Sequence, residues 1–327
     1  MRPIGGYFEW EFPITDGSFP HSDGILLNSG RHSLEYILMS LGQIKRLWIP
    51  YFTCDVVLQP LHRLGVSYSF YNIKTNFTLA EEIEVGDDEY LIYTNYFGIM
   101  DEYCEYLANI YGDHLILDYA QSFFTPHIIG INTYYSPRKF VGIPDGGIAY
   151  TNHHLSIDLG QDLSYGRCAH LLKRHELEPM EGFSDFKESS HQIANSPLSK
   201  MSSLTQKTLS SLEYSAIIER RINNFTFLHT HLADSNEMQI PPLDSFTCPM
   251  IYPYYTNDSK LRKRLIANQV FVATYWPNVL EWCSEDTIEY NLTNNVLPIP
   301  IDQRYGQEEI QFIHCCPVKV PDDYYKV

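Results

Sequence analysis

Several kinds of signal are missing from this 327-residue sequence, and each absence removes a class of function. Positive charge is scarce: 23 Lys and Arg stand against 40 Asp and Glu, for a net charge of −17. Phosphate-backbone binding needs a basic face, so no nucleic-acid partner is expected. An acidic surface still permits an anionic small molecule, provided a few basic residues line its pocket. No run approaches 18 consecutive apolar residues, and Met1-Arg-Pro-Ile-Gly-Gly-Tyr-Phe-Glu-Trp10 has no apolar stretch of the signal-peptide kind. No membrane span and no secretion are expected, and the location to expect is cytoplasmic. The seven cysteines (54, 104, 168, 248, 283, 315 and 316) are odd in number and show no C-x-x-C or metal-finger spacing. A chain of this size needs no staples, so the thiols are read as reduced, with no metal site. Repeats and low-complexity tracts are absent too.

What is present is apolar and aromatic material, 44% hydrophobic residues with 25 Tyr and 17 Phe, enough for a large core. The length suggests two domains. Residues 1–24 mix Gly, Pro, Asp and aromatics without a period and read as an arm that packs on something. Leu34, Ile37, Leu38 and Leu41 then recur at helical spacing behind Asn28-Ser-Gly30. A Ser-Gly turn opening a helix is a ready anion site, though an ordinary capped helix looks the same. Strands are expected at 46–51, 67–71, 90–94 and 114–118, with helices at 53–64 and 101–111 between them. That alternation predicts an α/β fold, a mainly parallel sheet between helix layers, with ligands outside the carboxyl ends of its strands. Polar helical runs follow at 161–176, 183–193 and 203–232, the last a long connection. A smaller α+β part then carries a strand at 250–254, a helix at 258–268, a strand-like 270–273 and a closing helix near 307–314. The resulting division is an arm at 1–24, a large domain at 25–235 and a small domain at 236–327.

The chemistry concentrates in two stretches. His114-Leu-Ile-Leu-Asp118 is an apolar run that stops on an acid, and Thr133 to Gly147 places Lys139 among turn formers before a glycine pair. Each residue has a structural explanation: a loop lysine is usually solvated, and a strand-ending Asp often caps a turn. Together, 21 residues apart, they suit a pyridoxal phosphate (PLP) site. There a lysine forms the Schiff base and an acid keeps the pyridinium nitrogen protonated.

In order along the chain, Asn28-Ser-Gly-Arg31, Pro50-Tyr-Phe-Thr-Cys54, Asn95-Tyr-Phe-Gly98, Asp118-Tyr-Ala-Gln-Ser122, Ser136-Pro-Arg-Lys139 and Asp145-Gly-Gly147 resemble the fold type I PLP enzymes. The closest resemblance is to the DegT/DnrJ/StrS-type sugar aminotransferases, well over residues 25–150 and loosely beyond. It implies a three-layer PLP-transferase fold with PLP as cofactor, Lys139 as the Schiff-base lysine and acid/base, and Asp118 as partner of the ring nitrogen. It further implies Gln121 near the ring hydroxyl, Gly30 and Arg31 at the phosphate turn, and Ser136 as a hydroxyl donor to the phosphate or as a simple turn former.

Two positions depart from the family pattern. Gly30-Arg31 stands where Gly-Thr or Gly-Ser is usual, and Cys54 where an aromatic usually stacks on the ring; Tyr51, Phe52 or Tyr96 would then supply the ring face. Arg304, in Leu297-Pro-Ile-Pro-Ile-Asp-Gln-Arg-Tyr305, is a candidate clamp for a substrate carboxylate or a structural ion-pair member. His314 reads as a packed residue. The implied reaction moves an amino group from an amino acid, glutamate or glutamine, to a keto group, on a nucleotide-linked sugar for surface polysaccharide, in a homodimer with shared sites. Two rivals remain: another PLP reaction (lyase, dehydratase or amino-acid-directed) on the same fold, and a degenerate scaffold, which Arg31 and Cys54 would favour.

Overall fold

Strands buried on both faces read as continuous apolar runs, and two such runs form the centre of the molecule. They are Glu89–Thr94 (β4) and Leu115–Tyr119 (β5), in a computed structural model that describes residues 4–315. The first three residues of the expected arm, and the expected small domain beyond 315 with Cys316, lie outside the described residues. Around this centre lie Ile25–Leu27 (β1), Arg46–Pro50 (β2), Tyr68–Tyr71 (β3), Asn132–Tyr135 (β6) and Gly147–Tyr150 (β7). The sheet order is β1-β7-β6-β5-β4-β2-β3. From β3 to β6 every pairing is parallel; β7 runs antiparallel to both neighbours.

Helices cover both faces. Gly30–Leu41 (α1) and Leu58–Leu64 (α2) pack Leu34, Ile37, Leu38 and Leu61 on Ile49, Ile92 and Ile116. Asp101–Tyr111 (α3) covers the other face through Cys104 and Leu107, with Asp101 and Glu102 in its first turn where the helix dipole favours acids. Ala169–Glu176 (α4), Phe183–Asn195 (α5), Ser203–Leu209 (α6) and Tyr214–Leu232 (α7) follow. The C-terminal part contains Ile251–Tyr255 (β8), Leu261–Ala267 (α8), Val279–Trp282 (α9), Ile288–Asn295 (α10), Val296–Pro300 (β9) and Gln307–Cys315 (α11). Its β8-β9 pair is a separate antiparallel sheet, yet its apolar residues join the same core cluster as α3 and α7. Each fully buried Leu or Ile in these layers contributes roughly 1.5–3 kcal/mol.

Two expectations are corrected, and two further features were not anticipated. The run 203–232 is two helices, interrupted at Ser210-Ser-Leu-Glu213, residues that compete with helical backbone bonding. Residues 270–273 alternate buried and exposed but form no strand. The Arg262 guanidinium takes the carbonyls of Val272 and Ala273 (3.4 and 2.6 Å), so side-chain donors replace a partner strand. The apolar, proline-rich 296–300 is a strand, tolerated because it pairs on one side only, with β8. The arm does not pack on its own chain at its start: Ile4, Tyr7, Phe8 and Ile14 are almost fully exposed.

Candidate functional site

Sheet register builds the site. Thr94 of β4 sits opposite Asp118 of β5, and Asp118 opposite Tyr134 of β6, so the three side chains share one face at the carboxyl ends of the parallel strands. The Asp118 carboxylate is buried. It accepts the Ala120 N–H at 2.8 Å and the Thr94 hydroxyl at 3.4 Å. The Tyr134 hydroxyl faces it without a complete hydrogen bond. Burial pushes the Asp118 pKa up, while the positive charge of Lys139 pulls against that rise.

Gln121 is fixed by the same turn. Its side-chain oxygen Oε1 accepts the Phe97 N–H at 2.8 Å, which leaves the buried Nε2, on the wall of the cavity, as a donor with no acceptor among the described residues. Gly98 lets the two backbones come close here: its φ is +71°, and a Cβ there would lie 2.8 Å from the Gln121 backbone carbonyl oxygen.

The other end of the cavity is the start of α1. The Ser29 side chain caps it by accepting the His32 N–H at 3.2 Å. A Cβ at Gly30 would meet Ser136 Cβ at 3.1 Å, so any other residue there would push the turn carrying Ser136 back by a few tenths of an ångström. The turn continues as a single 3-10 turn, Pro137–Lys139. Distant elements hold the segment that follows it, residues 140–145. Asp145 is buried and accepts the Ser202 N–H (2.8 Å), the Ser202 hydroxyl (2.6 Å) and the Thr205 hydroxyl. Arg221 of α7, fully buried, donates to the Phe140 carbonyl at 3.3 Å and to Gln303 at 3.0 Å.

Gly30, Arg31, Cys54, Asp118, Gln121, Ser136 and Lys139 therefore line one cavity of about 330 Å³. Lys139 itself is exposed, and it lines an adjoining cavity of about 780 Å³ as well. Arg31 turns its guanidinium to Gln59 of α2 at 2.5 Å. Cys54 is half-buried; burial raises its pKa and the Lys139 charge opposes the rise.

Tyr51, Phe52 and Tyr96 do not line the cavity. Tyr51 stacks on Phe70, Phe52 is buried against Phe77 and Trp276, and the Tyr96 hydroxyl donates to the Phe52 carbonyl at 3.0 Å. Trp276 from the C-terminal part and Tyr134 from β6 line it instead. Arg304 is exposed on the adjoining cavity, its guanidinium held by Asp302 through two bonds of 2.7 and 2.9 Å. His314 packs edge-on against Phe227. Among the described residues no cluster of His, Cys, Asp or Glu could hold a metal, and no helix is long and apolar enough to cross a membrane.

Sequence reasoning missed Tyr134, Arg138, Arg221 and Trp276. Tyr134 and Arg138 lay inside the stretch around Lys139, where a strand would have signalled the first. The other two come from distant segments with no local signal. A buried carboxylate, an amide donor left without a partner among the described residues, a lysine and the start of a helix, all lining one cavity, fit a cationic heteroaromatic ring with an anionic tail.

No protein-family model matches the sequence, and no curated protein matches it. Solved structures do. DesI, in a structure determined in the presence of its TDP-sugar product, superposes with a TM-score of 0.62 at 15% identity, over 90% of this chain and 79% of that one. A DegT DnrJ EryC1 StrS aminotransferase from Brucella abortus gives 0.60 at 15%, over 89% and 84%. NtdA from Bacillus subtilis, with bound cofactor PMP, gives 0.59 at 14%, over 89% and 73%. The chain has the three-layer fold of these structures. At such low identity it is the fold that is shared, and the chemistry has to be argued from the residues.

Proposed function

We propose that the protein is a PLP-dependent aminotransferase. The carrying observation is the Asp118–Gln121–Lys139 set in one cavity: a desolvated carboxylate that needs a cationic partner, an orphaned amide donor and an amine. PLP bound there supplies an electron sink that stabilises negative charge on a substrate carbon. Asp118 would hold the ring nitrogen through its charge, Gln121 Nε2 would be the donor available to an oxygen on the ring, and Lys139 Nζ would hold the cofactor and be the group placed to move a proton at the substrate carbon. The adjoining cavity is the substrate side, with Arg304 as candidate for the donor carboxylate.

The donor we favour is glutamate or glutamine, and the acceptor a keto group on a nucleotide-linked sugar. The DesI structure with its TDP-sugar product supports that acceptor class, and surface polysaccharide is the matching use. We take the working unit as a cytoplasmic homodimer. Lys139 is open to solvent and the arm's apolar side chains are uncovered, so a second copy has both a site to close and surface to bury. The domain division at 25–235 and 236–327 accompanies this reading.

The test is the visible spectrum of the purified protein with PLP, before and after borohydride. A long-wavelength band, a reduced adduct mapped by peptide mass to Lys139, and a shift of the band on adding glutamate are expected. Lys139→Ala should abolish the adduct and transamination; full turnover in that variant would end the proposal.

A further inference from the structure

Besides Lys139, the cavity holds a second cation, Arg138, that its surroundings leave unanswered. Arg138, next to Lys139, lines the same wall as Gly30, Arg31, Ser136 and His170. It is partly buried, and among the described residues its guanidinium makes no hydrogen bond and no ion pair. The charges that act on it are Asp145, favourably, and Arg31 and Arg167, unfavourably. Asp145 already accepts three hydrogen bonds from Ser202 and Thr205. Arg167 is paired with Asp162 at 2.6 Å, and Arg31 is engaged by Gln59. The planar fork of Arg138 is thus free, in a place where leaving it unpaired is costly.

We propose that Arg138 binds the anionic tail of the cofactor, beside the N-terminus of α1 and with Ser136 as a neutral donor; this rests on the PLP reading above. The direction follows from the opposite end of the cavity. Asp118, Gln121 and Tyr134 mark the ring, and the close approach of Gly30 to Ser136 puts the start of a 12-residue helix against the turn that carries Arg138. A phosphomonoester is close to doubly charged at neutral pH, and its oxygens match a guanidinium fork two at a time. Burial separately pushes the Arg138 pKa down to about 10, the mark of a cation short of counter-charge. The arrangement also accounts for Gly30-Arg31 at the phosphate turn. A hydroxyl at position 31 is dispensable when a full charge arrives from the lysine loop.

The experiment titrates the protein with PLP and with pyridoxal, which has the same ring and aldehyde but no phosphate, following the absorption band. Wild type should favour PLP strongly. Arg138→Gln should weaken PLP by about 10- to 100-fold, the loss of a charge-assisted pair, while pyridoxal binding stays unchanged. Arg138→Lys, which keeps the charge but not the fork, should fall between. An unchanged ratio of the two affinities in Arg138→Gln, or an equal loss of both, would overturn the assignment. If Arg138→Gln fails to fold, the Lys variant decides on the same ratio. A wild-type protein with neither band nor adduct would instead overturn the PLP reading itself, so the two failures are distinguishable.

Discussion

Asp118 shows how a residue can be poorly placed for stability and well placed for chemistry. Its carboxylate lies among apolar side chains, and burial raises its folded pKa above the usual 3.8 despite Lys139. An acid with a raised folded pKa binds more protons folded than unfolded. Its contribution is therefore lost as pH rises from the unfolded value through the folded one. At neutral pH the cofactor-free protein carries that cost, and a cationic ring offsets it. Asp118→Asn should melt at least as high as wild type at pH 7 without cofactor, and lose the difference near pH 4. Its transaminase turnover should fall by about 100-fold or more, since an oriented charge at the reacting group is removed. A variant that unfolds at neutral pH, or turns over normally, contradicts this account. Asp118 and Lys139 were both legible in the sequence, because an acid ending an apolar run and a lysine among turn formers are local patterns. Tyr134 needed the strand at 132–135 to place it opposite Asp118, and Arg138 was not legible, since what matters about it is the absence of a partner in three dimensions.

At the scale of elements, the site depends on how closely β7 passes the turn into α1. A Cβ on Gly147 would sit 2.1 Å from the Ser29 carbonyl oxygen and 2.6 Å from the Gly30 amide nitrogen, contacts that no rotamer can relieve. Gly147→Ala should therefore cost about 3 kcal/mol or more by denaturant titration, at the upper end of overpacking effects, and should weaken cofactor binding by displacing the helix start. A change under 1 kcal/mol would mean that the turn can shift freely. Gly30-Ser136, Asp145-Ser202 and Arg221-Phe140 work alongside it. Gly30 meets the lysine turn at Ser136, while Arg221 of α7 and Ser202 at the start of α6 hold Phe140 and Asp145 just beyond it.

Over the whole molecule, the described chain leaves surface that a lone protomer would not be expected to expose. Ile4, Tyr7, Phe8, Ile14, Tyr165 and Met180 are mostly in solvent. Clustered exposed apolar residues mark interaction sites in soluble proteins. Light scattering should give twice the mass of one 38.0 kDa chain, and removal of residues 1–18 should weaken that association. A monomer that retains full activity would refute the shared-site arrangement.

By itself the sequence determined the alternation of strand and helix, the parallel sheet and the acid–lysine pairing. These rest on periods of two and 3.6 residues and on turn formers, all of them local. Where the local signal misled, at 270–273, the deciding factor was which backbone groups found a partner. Only the tertiary structure decided that Thr94, Asp118 and Tyr134 stand in one row, that Trp276 rather than Tyr51, Phe52 or Tyr96 lines the cavity, and that Arg138 is left unpaired. Register, burial and pairing between residues far apart in the chain are properties of the packed whole, and no local pattern encodes them.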